Sequence, residues 1–321
     1  MEREIPMNGR DIDYTRLNAW ITDYVVVYED EAFRLLRFEE YDYKREAVLV
    51  LPPQAGHTPQ IADYDHGQSI IKCAVDNANK NVYVMDWKSC TTDRGSESYN
   101  DLVNQVVLAM KIINTKTHLV GLCQGGTLAT ITTSLHPDNV ASLTVAGAPI
   151  YVDQEGVLKE AIRNPMYMFQ MAVIMGGGVM RGDTMLHCWM SSNPTQHYIK
   201  RFQEEMTYRK ARFDAWYYEF TQNISGAWYL DLVENLFKQN KLYKEEMVVG
   251  NKVVKLSNIS CPLNLVVGTK DNISPPHHTL KLQDKVASEK VVTYQGDAGH
   301  IGVFMGRKIV KDQWTKLFSK M

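Results

Sequence analysis

A cysteine set among glycines, an aspartate and a histidine stand in the order that nucleophilic acyl transfer uses. The segment Gly121-Leu122-Cys123-Gln124-Gly125-Gly126 follows the apolar run Thr117–Leu122 and precedes a helix-compatible stretch, Thr127–Leu135. This is a nucleophile elbow with cysteine in the serine position. A strand-to-helix turn strains the backbone at the nucleophile, and side chains at the flanking positions would collide with neighbouring strands. At the start of the helix the thiol of Cys123 is expected to feel the positive end of the helix dipole. With a nearby histidine, that lowers a thiol from about 8.5 towards neutrality and yields the nucleophilic thiolate.

The partners come later. Leu263–Gly268 reads as a strand running into Thr269-Lys270-Asp271-Asn272, and Val291–Tyr294 leads to Gly296-Asp297-Ala298-Gly299-His300. Nucleophile, acid and base, each after an apolar strand, is far more specific than any single motif. Asp271 is taken as the acid, with Asp297 its near rival, and His300 as the base. An oxyanion hole needs one backbone N–H from the residue after the nucleophile and one from the loop after the strand Ala47–Leu51. Those are Gln124 and Gln54 or Ala55. His57 shares that loop and is a further site candidate, against its plainer reading as loop structure. His277-His278, after Pro275-Pro276, reads as a helix start, and no metal site is expected.

These residues need a scaffold of buried parallel strands. Ala47–Leu51, Val82–Met85 and Leu119–Leu122 are apolar runs of that kind. Residues 23–27 and 33–38 read as an antiparallel edge, and Ser142–Ala146 as a further strand. Over 98–113, Tyr99, Leu102, Val103, Val106, Val107, Met110 and Ile113 form one helical stripe. A closing helix is expected near 307–319. The alternation argues for the α/β class: an α/β-hydrolase fold with a mostly parallel, doubly wound sheet.

From about 150 to 250 the pattern changes. No strand pattern appears; methionines accumulate between 166 and 190, and aromatics follow at Trp189, Tyr198, Phe202, Phe213, Trp216, Tyr217, Tyr218, Trp228 and Tyr229. Residues 1–150 and 251–321 are therefore assigned to the core and 151–250 to a helical cap, or lid, insertion. The methionines and aromatics are read chiefly as packing between cap helices, with lining of a substrate channel as the alternative, the stretch between Arg163 and Arg181 as a mobile lid, and Gly176–Gly178 as a hinge.

The 321 residues are 45% hydrophobic and 22% charged, with a formal charge of −2 and a pI near 6.5. That balance offers no footprint for nucleic acid or an anionic membrane. Five scattered cysteines form no C-x-x-C pair, so neither a disulfide framework nor a zinc knuckle is expected. The N-terminus opens on Glu2, Arg3 and Glu4 without an apolar leader, which makes the cytoplasm the expected location.

The residues resemble the polyhydroxyalkanoate synthases and their relatives, the intracellular polyhydroxyalkanoate depolymerases, over most of the chain. Gly121–Gly126 is similar to the synthase box G-x-C-x-G-G, and Asp63–Trp87 to a synthase run ending in V-Y-x-x-D-W. Trp228–Glu234, Asn240–Leu242, Val254–Leu256 and Lys270–Pro276 resemble the C-terminal half of short synthases. The resemblance implies an acyltransferase that polymerises (R)-3-hydroxyacyl groups from coenzyme A thioesters. Cys123 would hold the growing chain as a thioester, His300 would deprotonate the thiol, and Asp271 would assist activation of the 3-hydroxyl. No cofactor is implied, coenzyme A entering as part of the substrate. A short synthase implies a second synthase subunit, a granule surface as a further partner, and a homo-oligomer.

Departures bear on the direction of reaction. Pro53–His57 and Gly299–Phe304 look closer to depolymerase-like relatives, and Ala148–Asp153 lacks the Thr-Pro-x-Asp-Phe pattern of synthases. The alternative is a hydrolase of polyhydroxyalkanoate, or of related hydroxyacyl esters or thioesters, with the same triad. A non-catalytic granule scaffold would leave that triad without purpose.

Overall fold

The structure, a computed structural model, describes residues 20–192, 195 and 208–321. Glu2–Glu4, Tyr198 and Phe202 lie outside the described residues. One sheet holds eight strands: β1 (Val25–Glu29), β2 (Phe33–Arg37), β3 (Ala47–Leu51), β4 (Asn81–Trp87), β5 (Thr117–Leu122), β6 (Val140–Ala146), β7 (Leu263–Gly268) and β8 (Val291–Gly296). Their order is β1-β2-β4-β3-β5-β6-β7-β8. β2 is antiparallel to β1 and β4, and every later pairing is parallel.

β3, β4 and β5 are buried at every residue, as strands covered on both faces must be. Alternation then sorts their side chains. Leu49 and Leu51 join one core cluster with Val103 and Val106 of α2 (Tyr99–Ile113), and Val48 and Val50 join another with Ile70 and Ile71 of α1 (Ile70–Asn77). After β3 the chain runs to β4 on one side, then crosses to β5 on the other. The crevice beyond the carboxyl ends of strands at such a reversal is where open α/β sheets place ligands.

Local signals explain the element ends. Ser98 and Asp101 form a reciprocal cap at the start of α2, and Asn114 closes it in the left-handed region at φ 54°. Ser69 accepts from the Lys72 amide to open α1. The closing segment is helical over Arg307–Phe318, with one wide turn at Val310–Trp314.

Between β6 and β7 lie α4 (Lys159–Arg163), α5 (Met166–Met175), α6 (Gly182–Ser192), α7 (Tyr208–Asp214) and α8 (Gly226–Asp231). Two details depart from the sequence reading. Short antiparallel pairs are present, Val179–Met180 with Ile224–Ser225 and Val248–Val249 with Lys252–Val253. Two-residue strands are too brief to leave an alternating pattern. The methionines also divide: Met180, Met185 and Met190 are buried, whereas Met168, Met171 and Met175 are exposed with Tyr167 and Ile174. α5 is apolar all round, so one packed face leaves the others uncovered. Gly177 and Gly178 adopt positive φ in a turn whose Gly178 carbonyl accepts from the Gly226 amide at 3.2 Å.

Two further helices follow the last strands: α9 (Pro276–Leu280) after β7 and α10 (His300–Met305) after β8.

Candidate active site

Cys123 sits between β5 and the next helix, α3 (Gln124–Leu135), at φ 52° and ψ −120°. A non-glycine residue is held there only when its surroundings enforce it. The enforcement is visible in the glycines. A Cβ on Gly121 would collide with backbone atoms of Gly125 and Gly126, and one on Gly125 with the carbonyl oxygens of Leu51 and Pro52. The helix start is thereby pressed against the end of β3, with the Cys123 amide held by the Ala146 carbonyl at 2.8 Å.

His300, the first residue of α10, brings Nε2 to 3.2 Å from Cys123 Sγ. Its Nδ1–H donates to Asp271 Oδ2 at 2.8 Å. The other carboxylate oxygen, Oδ1, accepts from the Ile273 and Ser274 amides at 3.0 and 2.9 Å. Phe304, one turn along α10, meets the imidazole edge to face at 5.2 Å. All three side chains of the triad are buried or nearly so. Burial alone would lower the His300 imidazole, but negative charge at Cys123 and the hydrogen bonds to Asp271 and Cys123 outweigh it, pulling the group up to about 10. The arrangement sets an imidazole favoured in its protonated form against the sulfur at the strained turn.

Asp297 is not part of this chain of contacts; it is exposed and pairs with Lys270 at 2.9 Å. His57 faces the insertion. Its Nε2–H donates to the Tyr217 carbonyl at 3.0 Å, and its ring stacks on Tyr217 at 4.8 Å and lies against Trp216 at 5.1 Å. Burial pushes its imidazole down to about 4, against the contrary pull of the Tyr217 carbonyl. Gln124 heads α3, where the first amides have no intrahelical acceptor, while Gln54 and Ala55 lie on the loop beyond β3, beside Gly56, His57 and Trp87 in one cleft.

Two features lay beyond the sequence reading. Trp87 Nε1–H holds the Pro52 carbonyl at 3.0 Å, fixing the loop after β3. Asp153 accepts from His277 Nε2 at 2.9 Å and His278 Nε2 at 3.1 Å. The His-His pair was a visible signal; its carboxylate, 124 positions away, was not. The five cysteines are all unpaired.

A sheet of this order, with a strained nucleophile turn after its fifth strand and an acid and a histidine after its seventh and eighth, defines the α/β-hydrolase fold. Solved structures agree at the level of fold. An enol-lactonase from Burkholderia xenovorans superposes with a TM-score of 0.59 at 13% identity, covering 93% of this chain and 100% of that one. A monoacylglycerol lipase from Paleococcus ferrophilus does so with a TM-score of 0.51 at 19% identity, covering 85% and 95%. Within that fold the chain belongs to the family described as "Protein of unknown function (DUF3141)", whose model matches residues 4–321. Curated relatives carry the name poly(3-hydroxyalkanoate) polymerase subunit PhaC. That of Haloarcula marismortui is 25% identical over 91% of this chain and 66% of its own length; that of Synechocystis sp. is 26% identical over 95% and 85%. For Haloferax mediterranei the values are 23%, 90% and 61%. The chain thus spans somewhat under two thirds of the length of the haloarchaeal relatives.

Proposed function

We propose that this protein is a cysteine-nucleophile acyltransferase that polymerises (R)-3-hydroxyacyl groups from coenzyme A thioesters into polyhydroxyalkanoate. The observation that carries the reading is the sulfur nucleophile 3.2 Å from an imidazole backed by a buried carboxylate. Similarity to polymerase subunits over about nine tenths of the chain supports it. Cysteine suits the task because exchange between a coenzyme A thioester and a cysteine thioester is nearly isoenergetic and leaves the acyl group activated.

The thiolate of Cys123 attacks the substrate carbonyl; the oxyanion is met by the Gln124 N–H and one from Gln54 or Ala55. The coenzyme A thiol leaves with the proton of His300. The hydroxyl of a second acyl unit then attacks the Cys123 thioester while His300 takes its proton, and the Cys123 thiolate departs. Both Asp271 oxygens already accept hydrogen bonds, so Asp271 acts through His300, fixing its tautomer and steadying its charge. A second synthase subunit and a granule surface complete the proposal, with the cytoplasm as the location. Among the described residues, no helix is long and apolar enough to cross a membrane.

Hydrolysis of the same acyl-enzyme is the second reading, favoured by the depolymerase-like segments Pro53–His57 and Gly299–Phe304. Incubation with (R)-3-hydroxybutyryl coenzyme A separates the two, with Cys123→Ala as blank. Thiol release with polymer supports the synthase. Release with free 3-hydroxybutyrate makes the protein a hydrolase. No release, and no attack on preformed polyester, would overturn both.

A further inference from the structure

His277 and His278 open α9, six and seven residues beyond Asp271. Adjacent residues of a helix usually point in different directions, yet both imidazoles bring Nε2 to one carboxylate, Asp153, on the segment that leaves β6. The three donor atoms lie within 4.8 Å of one another. His278 is fully buried and its Nδ1 has no partner among the described residues, so its polar contact is this shared point. His277 and Asp153 are half-exposed, which leaves the point open to solvent ions.

We propose that Asp153, His277 and His278 form a divalent transition-metal site, selective for zinc-like ions. Two imidazoles and a carboxylate are the donor set that such ions prefer, whereas magnesium and calcium favour oxygen. In a tetrahedral site with ligand bonds of about 2.0–2.1 Å, neighbouring donor atoms stand about 3.3 Å apart. The nitrogen–oxygen separations are 2.9 Å from His277 Nε2 to Oδ2 and 3.1 Å from His278 Nε2 to Oδ1, so each imidazole already stands near that spacing from one of the two carboxylate oxygens. On ligation each ring moves its proton from Nε2 to Nδ1, with none released. His277 Nδ1 then faces Glu155 Oε2, 3.9 Å away, the kind of outer carboxylate that orients a metal-bound imidazole. Water takes the remaining position.

The site's place in the fold gives it a role. The His278 carbonyl accepts from the Ile150 and Tyr151 amides at 3.2 and 3.0 Å, and the Asn272 carbonyl from the Val157 amide at 2.7 Å. The segment 150–157 therefore lies along the Asp271 loop, and a metal bridging Asp153 to α9 would clamp the two together behind the catalytic acid. Binding of a metal here does not depend on the proposed reaction.

The test uses the full chain carrying Cys123→Ala, because the thiol and imidazole of the triad can themselves bind zinc. Zinc is titrated by calorimetry after chelation, and cobalt(II) serves as the absorbing probe. The expected result is one ion per chain at micromolar concentration, a raised thermal midpoint, and a cobalt spectrum without thiolate charge-transfer bands. His277→Ala and the near-isosteric Asp153→Asn should each weaken binding more than about 100-fold, beyond the usual cost of losing an outer-shell partner. His277 is partly exposed, so its truncation spares the core. Absence of saturable binding, binding unchanged in both variants, or thiolate bands in the cobalt spectrum would overturn the proposal.

Discussion

Acid is expected to loosen this protein through His57, and the size of the effect follows from where the ring sits. Packed on Tyr217 and Trp216, with Nε2–H on the Tyr217 carbonyl, the imidazole is held neutral down to about pH 4. In the unfolded chain the same group accepts a proton near its ordinary value of about 6.5. A folded value below the unfolded one means that the unfolded state binds the proton first, so stability present above about pH 6.5 is lost as pH falls towards 4. At about 1.36 kcal/mol per pH unit the loss is about 3 kcal/mol, an upper figure because the ring keeps some contact with water. His57→Gln preserves a donor for the Tyr217 carbonyl but cannot titrate. Urea unfolding of both proteins at pH 7, 6, 5 and 4 isolates the term. The wild-type curve should fall below that of His57→Gln by an amount that grows towards about 3 kcal/mol at pH 4. Parallel curves would refute the reasoning, since they would mean that His57 is as easily protonated folded as unfolded.

Three further outcomes are expected. Cys123→Ala should abolish turnover with little change in unfolding free energy, and iodoacetamide should label Cys123 ahead of Cys90 and Cys261, whose thiols burial pushes up to about 11; peptide mapping of the first labelled site checks this. His300→Gln removes the cation that faces Sγ up to about pH 10, so the rise of the Cys123 alkylation rate should move to more alkaline pH, and an unmoved profile counts against the pairing. In Gly125→Ala the new methyl meets the Leu51 and Pro52 carbonyls, α3 must retreat, and turnover should fall at least about 100-fold because a displacement near 1 Å is enough for that; full activity would show that the elbow tolerates the side chain.

Most of the frame was legible because its signals are local. Ala47–Leu51 and Leu263–Gly268 are strands as read, and the helix expected at 98–113 spans Tyr99–Ile113. The elbow could be found since its glycines are set by clashes within a few residues and one neighbouring strand. The choice between Asp271 and Asp297 was harder: both follow strands, and only the register of β7 against β8 directs one towards His300 and leaves the other on Lys270. Asp153 was out of reach for the same reason, as its imidazoles arrive from another part of the chain. Only some of the methionines pack, because composition cannot say how many faces of an apolar helix such as α5 find partners.

The segment between β6 and β7 also holds the loop after β3, and through that loop it bears on the proposed chemistry. The loop proposed to lend the second oxyanion donor is held at three of its carbonyls: Pro52 by the Trp87 indole at 3.0 Å, Gly56 by the Gln222 amide at 2.9 Å and Thr58 by the Trp216 indole at 3.1 Å. His57 adds the Tyr217 contact and a bridge to Thr221. Four of these partners, Trp216, Tyr217, Thr221 and Gln222, come from residues 215–222 of the insertion. Anchored at both ends and at Gly56, the loop has reduced freedom in where its own N–H groups point. Such fixed donors, which need no rearrangement as charge develops, are what electrostatic stabilisation of a tetrahedral intermediate requires. On the proposed mechanism, a change in the insertion that frees this loop should therefore act on the rate of acylation as well as on substrate binding, even though no residue of 215–222 belongs to the proposed triad.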